Sequence, residues 1–196
     1  MAIRERLLGP DHPFTAEAFT ALAAVNKSLG RFDQAERLFR RSLAARQKSL
    51  GPNHPSVASA SNDLADFLHT ATSHTVEAES LFRTGLAINR RTFGDQHANV
   101  ATNLSNLAVI VRERGDYAEA EQLLLQALAI DRALYPGDHE NVGFDLNEIA
   151  SVLRSHNRPD SAAVLLREAL AMNQRLHGPT HRNTLAVQTH LGRALR

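Results

Sequence analysis

One histidine recurs along this chain at a nearly constant interval. His12, His54, His97, His139 and His181 are spaced 42, 43, 42 and 42 residues apart. A period of this length implies a repeat architecture, in which each unit buries its apolar face only against its neighbours. The surroundings repeat as well. The histidines close the loops Gly9-Pro10-Asp11-His12, Gly51-Pro52-Asn53-His54, Gly94-Asp95-Gln96-His97, Pro136-Gly137-Asp138-His139 and Gly178-Pro179-Thr180-His181. Ten residues beyond each histidine stands Leu22, Leu64, Leu107, Ile149 or Leu191, followed by Ala23, Ala65, Ala108, Ala150 or Gly192. Later in each unit come the small residues Ala35, Ala78, Ala120 and Ala162, and then Ser42-Leu43, Gly85-Leu86, Ala127-Leu128 and Ala169-Leu170.

Apolar residues three and four apart form one stripe of a helix, and each unit carries two such stripes. Small residues at fixed places let the two helices approach closely. Gly30 and Gly115 can adopt positive φ and so end the first helix of their pairs. Asp33-Gln34-Ala35-Glu36 and Asp116-Tyr117-Ala118-Glu119 have the spacing of capping boxes that would start the second. The patterns predict helices over 13–29, 33–49, 55–71, 75–92, 98–114, 117–134, 140–156, 159–176 and 182–195. No strand, linker or low-complexity segment is predicted. The second repeat, at 43 residues, replaces its turn glycine by Thr70-Ala71-Thr72-Ser73-His74-Thr75, which predicts a longer and more mobile loop. In the fourth, Asn157 suits a left-handed cap and Pro159 a helix start.

The pattern Leu104, Leu107-Ala108, Gly115-Asp116-Tyr117, Ala120, Leu124 and Ala127 resembles the tetratricopeptide (TPR) repeat. The usual TPR period is about 34 residues. The longer period here, with its GPxHP loops, is similar to the TPR domain of kinesin light chains and their relatives. The resemblance covers essentially the whole chain. It implies an all-α fold, a right-handed α-solenoid of antiparallel helix pairs. The chain then reads as a single array over 1–196. Residues 2–8 are the end of a preceding helix, 13–54, 55–97, 98–139 and 140–181 are four repeats, and 182–196 is the first helix of a fifth. Both ends are cut relative to the period, which favours a fragment of a longer array over evolved caps. Leu185, Leu191 and Leu195 on the last helix do not suit the polar outer face of a capping unit.

The bulk properties exclude several function classes. Net charge is +1, so no strong field favours nucleic acid or an anionic membrane. The chain has no cysteine, which removes disulfides, a thiol nucleophile and cysteine zinc sites. No apolar run approaches a membrane span and no signal peptide is visible, so a soluble, cytoplasmic protein is expected. The periodic histidines do not read as a metal site. Positions one repeat apart lie on helices packed about 10 Å apart, whereas zinc ligands lie about 2 Å from one ion. They read instead as helix entries. Neither a GxSxG elbow nor a GxxxxGK[ST] phosphate loop is present. No catalytic residue, metal ligand or cofactor is expected, and the chain does not read as an enzyme.

By the resemblance, the first helix of each pair lines a concave face. Its positions eight, twelve and fifteen past each histidine are Thr20, Ala24, Lys27; Asn62, Asp66, His69; Ser105, Val109, Arg112; Asn147, Ser151, Arg154; and Thr189, Arg193, Arg196. An i, i+4, i+7 set occupies one helix face, and this one reads as solvent-lined. Its last column is a cation or histidine in every repeat, fit to meet the acidic groups of an extended peptide, since arginine can hold a carboxylate with two parallel hydrogen bonds. Asn62, Asn106 and Asn147 could bond a peptide backbone. Asp63, Asp66 and Glu148 sit on or beside the same face and would pair with some of these cations. The expected function is a non-catalytic scaffold for a protein or extended, acidic peptide. The alternatives are a self-association module, stacking through Ile3, Leu7, Leu191 and Leu195, or a sensor domain of a larger signalling protein.

Overall fold

A computed structural model describes residues 6–196. It is all α-helical, with no strand among those residues. After a helical stretch at residues 6–8, the elements are α1 (Pro13–Ser28), α2 (Phe32–Leu50), α3 (Pro55–Ala71), α4 (Thr75–Phe93), α5 (Ala98–Glu113), α6 (Tyr117–Leu134), α7 (Glu140–Ser155), α8 (Pro159–His177) and α9 (Arg182–Ala194). The chain divides into two compact units, Met1–Gly94 and Asp95–Arg196. In the first, α1 packs on α2 and α3 on α4, while α3 also packs on α2 and touches α1. In the second, α5 pairs with α6 and α7 with α8. There α7 docks on α6 and α9 on α8, and successive first helices touch.

Every first helix starts in the same way. The periodic histidine is its N-cap, in extended backbone conformation. Its Nδ1 accepts the backbone N–H two residues on, at 3.2 Å for His12, 3.1 Å for His54 and His97, 3.2 Å for His139 and 3.3 Å for His181. This satisfies one of the N–H groups that a helix start leaves without an intrahelical partner. Pro13 and Pro55 follow at the first helical position, where the missing N–H costs nothing. The role expected from sequence, helix entry, is the one the structure shows. The ring is also clamped from the preceding helix end: Tyr135 stacks on His139 with centroids 3.7 Å apart, and His177 on His181 at 4.6 Å.

Turns inside the pairs close by one device. Gly30, Gly115 and Asn157 have φ of 70°, 92° and 58°, in the left-handed region. The next residue then reaches back five positions: Arg31 N–H to Asn26, Asp116 to Val111 and Arg158 to Leu153. These are Schellman closures. The loop without glycine departs from expectation. It is Thr72–His74, the same three residues long as Leu29–Arg31, and the extra residue of that repeat lies in α3, which has 17 residues where α1 has 16. Thr72 substitutes for glycine chemically. Its hydroxyl donates to the Leu68 carbonyl at 2.7 Å and accepts the His74 N–H at 3.2 Å.

The capping boxes are corrected too. Helix α2 starts on Arg31, which makes no side-chain cap, and Asp33 lies inside the first turn, where its charge only meets the helix dipole. Asp116 does cap α6, its carboxylate accepting the Glu119 N–H at 3.1 Å. The reciprocal bond fails because the Asp116 N–H is committed to Val111, and Glu119 reaches Arg114 at 2.8 Å instead.

Packing follows the small-residue columns. Ala23, Ala65, Ala108 and Ala150 on first helices, and Ala35, Ala78, Ala120 and Ala162 on second helices, are all at most 1 % exposed. Leu64, Leu107 and Ile149 are at most 2 % exposed, each contributing roughly 1.5–3 kcal/mol by burial. Their counterparts on the outermost first helices, Leu22 and Leu191, are half-buried. Of the residues proposed for end-to-end stacking, Ile3 lies outside the described residues, Leu7 and Leu195 are exposed, and Leu191 is half-buried.

The cap predicts a mutational pattern. His54→Ala should destabilise by about 1 kcal/mol and His54→Asn, which keeps an acceptor, by a few tenths. Thermal unfolding followed by circular dichroism should register the first as a loss of roughly 2–4 °C; equal losses for both substitutions would contradict the capping role.

Candidate functional site

Much of the first-helix face expected from sequence is cross-linked within each unit. In the first unit the Lys27 ammonium pairs with Asp66 on the next first helix at 2.8 Å. Asn62 and His69 are half-buried on the same helix as Asp66. In the second unit Arg112 repeats the Lys27 geometry. One of its terminal nitrogens donates to Ser151 at 2.9 Å, and the other lies 3.8 Å from Glu148. Thus the residue fifteen past one histidine meets the residue twelve past the next, in both units. The pairing of Asp66 and Glu148 with neighbouring cations, expected from sequence, is observed. Asp63 faces Arg46, which opposes the upward shift that burial imposes on its pKa.

Asn147 donates to Glu148 at 3.2 Å and meets His190 Nδ1 at 2.8 Å. Burial, then Arg154 and Arg193, push the His190 pKa down against the opposing pull of Glu148. Arg154 is half-buried and Arg193 exposed, and neither makes an ion pair among the described residues. Asn106 is half-buried. Ser105 corrects the expectation of a solvent-lined face. It is 5 % exposed and donates to Asp145 at 2.7 Å, because α7 packs directly over it.

Sequence reasoning missed two residues of this region. Asp145 on α7 and Asp131 on α6 are both almost fully buried. They line one cleft of about 120 Å³ with Ser105, Asn106, Asn141 and Phe144. Burial raises the Asp145 pKa to about 7; the Ser105 hydrogen bond opposes this, while Asp131 and Glu148 add to it. Asp131 is also raised by burial, against His139 and a hydrogen bond from Asn141. Asp145 Oδ2 and Asp131 Oδ1 have no hydrogen-bond partner in the protein. The signal was in the register. Six past each histidine stand Ala18, Ala60, Asn103, Asp145 and Val187, so Asp145 is the one charge in its column. No group of three or more His, Asp or Glu among the described residues could hold a metal ion, and no described helix is long and apolar enough to cross a membrane.

Helix pairs closed by three-residue turns, recurring with small residues at their contacts, define an all-α helical repeat. The TPR family model matches residues 1–48, 20–88, 67–133 and 112–175, and the chain belongs to the tetratricopeptide repeat family. Among solved structures it is similar to a Podosopora anserina protein with nearly identical TPR-like repeats, assigned as a kinesin light chain. That match has 26 % identity and a TM-score of 0.80, and covers 93 % of this chain and 86 % of that one. BtubC (BKLC) from P. vanneervenii matches with 24 % identity and a TM-score of 0.82, over 93 % and 72 % of the two chains. A signal-transduction ATPase of Pyrococcus horikoshii with a tetratricopeptide repeat sensor shares the fold at 17 % identity and a TM-score of 0.78, covering 93 % of this chain and 27 % of that one. A search of curated proteins finds no match. TPR repeats generally serve as protein–protein interaction scaffolds, and the fold is typically non-catalytic.

The buried carboxyls predict a pH-dependent stability. Asp145 holds its proton more tightly folded than unfolded, so its favourable contribution is complete below about pH 4 and is lost as pH rises through about 7. Asp145→Asn should therefore stabilise the protein by on the order of 1–3 kcal/mol at pH 8, with the gain shrinking towards zero or reversing at pH 4. Urea unfolding at the two pH values checks this; a pH-independent difference would refute it.

Proposed function

We propose that this protein is a non-catalytic binding scaffold whose first-helix faces hold an extended segment of a protein partner. The contributing side chains are Lys27, Asn62, Asp66 and His69 in the first unit. In the second they are Ser105, Asn106, Arg112, Asn147, Ser151, Arg154 and Arg193. The observation that carries this reading is the treatment of polar groups on that face. Most are half-buried and several are held by hydrogen bonds to the next repeat, so they present fixed donors and acceptors with little rotamer entropy left to lose on binding. Family membership supports the same class of function.

The acidic character of the ligand rests on fewer residues than the sequence implied. Lys27 and Arg112 are already engaged by Asp66, Ser151 and Glu148, and a ligand would have to compete with these partners. Arg154 and Arg193 carry the attraction for a carboxylate in the second unit. Asp66 and Glu148 favour a segment of mixed charge over a uniformly acidic one.

A peptide array probed with the labelled protein should select short extended segments. For a selected peptide with an acidic residue, Arg154→Glu with Arg193→Glu should weaken binding at least tenfold in calorimetry and leave thermal unfolding within a few degrees. Charge reversal at Arg112 is a poorer test, because it also breaks the contact to Ser151. Unchanged affinity in the double variant would remove the first-helix face from the binding site.

A further inference from the structure

The repeats provide an internal template for the cleft that holds Asp131 and Asp145. Thirty-four residues past the capping histidine, on second helices, stand Arg46, Asp131 and Asn173. In the first unit Arg46 fills the corresponding position itself. Its guanidinium donates to the Ser56 carbonyl at 3.1 Å and to the Thr20 hydroxyl at 3.5 Å. Thr20 and Ser56 are the counterparts of Ser105 and Asn141, eight and two residues past their histidines respectively. So one repeat joint places a planar cation where another, between α5, α6 and α7, places two carboxyls and no cation of its own.

The α5–α7 cleft is lined by two acids. Asp131 and Asp145 are 3 % and 1 % exposed and both line one cleft of about 120 Å³, and Asp131 Oδ1 and Asp145 Oδ2 are buried without a hydrogen-bond partner in the protein. A buried carboxylate without a partner is costly. Neighbouring charges do not cancel it. Glu148 faces Asp145 with its own negative charge and is drawn towards Arg112, and His139, near Asp131, uses its Nδ1 to accept the Asn141 N–H. At the mouth, Phe144 is 49 % exposed and offers an apolar wall for the stem of a side chain. The two carboxyls are joined by a serine and two asparagines, without a third carboxylate or histidine to complete a metal cage.

We propose that the cleft between α5, α6 and α7 binds a guanidinium group from outside the chain, an arginine side chain of a partner segment lying on the first-helix face. The segment's identity rests on the scaffold function proposed above; the cleft's affinity for guanidinium does not. Binding exchanges two mutually repelling buried acids for charge-assisted hydrogen bonds, the arrangement in which arginine and carboxylate pair best. Protons and guanidinium compete for the same oxygens, so affinity rises with pH as Asp145 ionises.

The test is a nuclear magnetic resonance titration of the whole labelled chain with methylguanidinium up to about 50 mM, against methylurea as the neutral isostere. Saturable shifts at Ser105, Asn141, Phe144 and Asp145 are expected at pH 8, at least tenfold weaker at pH 5 and absent with methylurea. Asp131→Asn and Asp145→Asn should each weaken them at least tenfold. Both substitutions introduce residues the chain already buries at those columns, Asn173 and Asn103. If a variant fails to fold, the comparison of methylguanidinium with methylurea on the parent chain decides alone. No saturable shift, equal shifts with methylurea, or the same shifts produced by calcium or magnesium at lower concentration would overturn the proposal. A chain that takes methylguanidinium but selects no peptide keeps the cleft and loses the scaffold function. Selected peptides that bind equally with citrulline in place of every arginine keep the scaffold and lose the cleft.

Discussion

Every first helix in this protein begins on an imidazole that accepts a hydrogen bond. His12, His54, His97, His139 and His181 each use Nδ1 for the N–H two residues ahead. Such a bond requires the proton to be on the other ring nitrogen, so the cap sets the tautomer as well as the backbone. It also sets the direction in which the helix leaves its loop. Side chains eight, twelve and fifteen residues further on are then carried to one face in each repeat. The ring is held in turn by the helix before it, through Tyr135 in one repeat and His177 in another. A periodic histidine thus couples the end of one helix pair to the start of the next.

Charge is spent largely on joining repeats. Arg40 to Glu77, Arg132 to Glu168 and Arg158 to Glu121 link neighbouring repeats with hydrogen bonds of 2.6–3.0 Å. Lys48 to Asp11 and Arg175 to Asp138 tie the end of a second helix to the loop before that pair's own first helix. Single exposed pairs of this kind add little to stability. Their effect is on register, since each is satisfied in one alignment of adjacent helices. The same habit explains the first-helix face. Lys27 and Arg112 are the visible members of a basic column, yet they serve the next repeat first. The α5–α7 cleft breaks the habit by burying two acids without a cation, and that imbalance separates it from the joint filled by Arg46.

Much of the architecture was legible in the sequence. The histidine period, the small-residue columns and the turn glycines located nine helices to within a residue or two, because each is a local rule repeated with little variation. The positive φ of Asn157 was legible for the same reason. The errors were also local. Asp33 has the spacing of a cap but not the position, since the turn at Gly30 hands the N-cap to Arg31. Thr72 closes its turn through a hydroxyl, a substitution that composition alone does not reveal. The face residues were legible as a set, while their partners were only partly so. Lys27 with Asp66 follows from charge and offset; Ser105 with Asp145 requires knowing that α7 covers α5.

The sequence by itself determined the repeat, the helix pairs and the entry of each first helix. These depend on spacings within a turn or two of helix, where covalent geometry leaves little choice. Only the tertiary structure decided which polar groups on the first helices remain open and which are consumed. Burial, and with it the upward shift of Asp145, is set by what packs across a helix from a neighbouring repeat about 40 residues away. An aspartate in a column of uncharged residues is one letter in the sequence; enclosed beside a second carboxyl, it becomes a group whose charge is costly to hold.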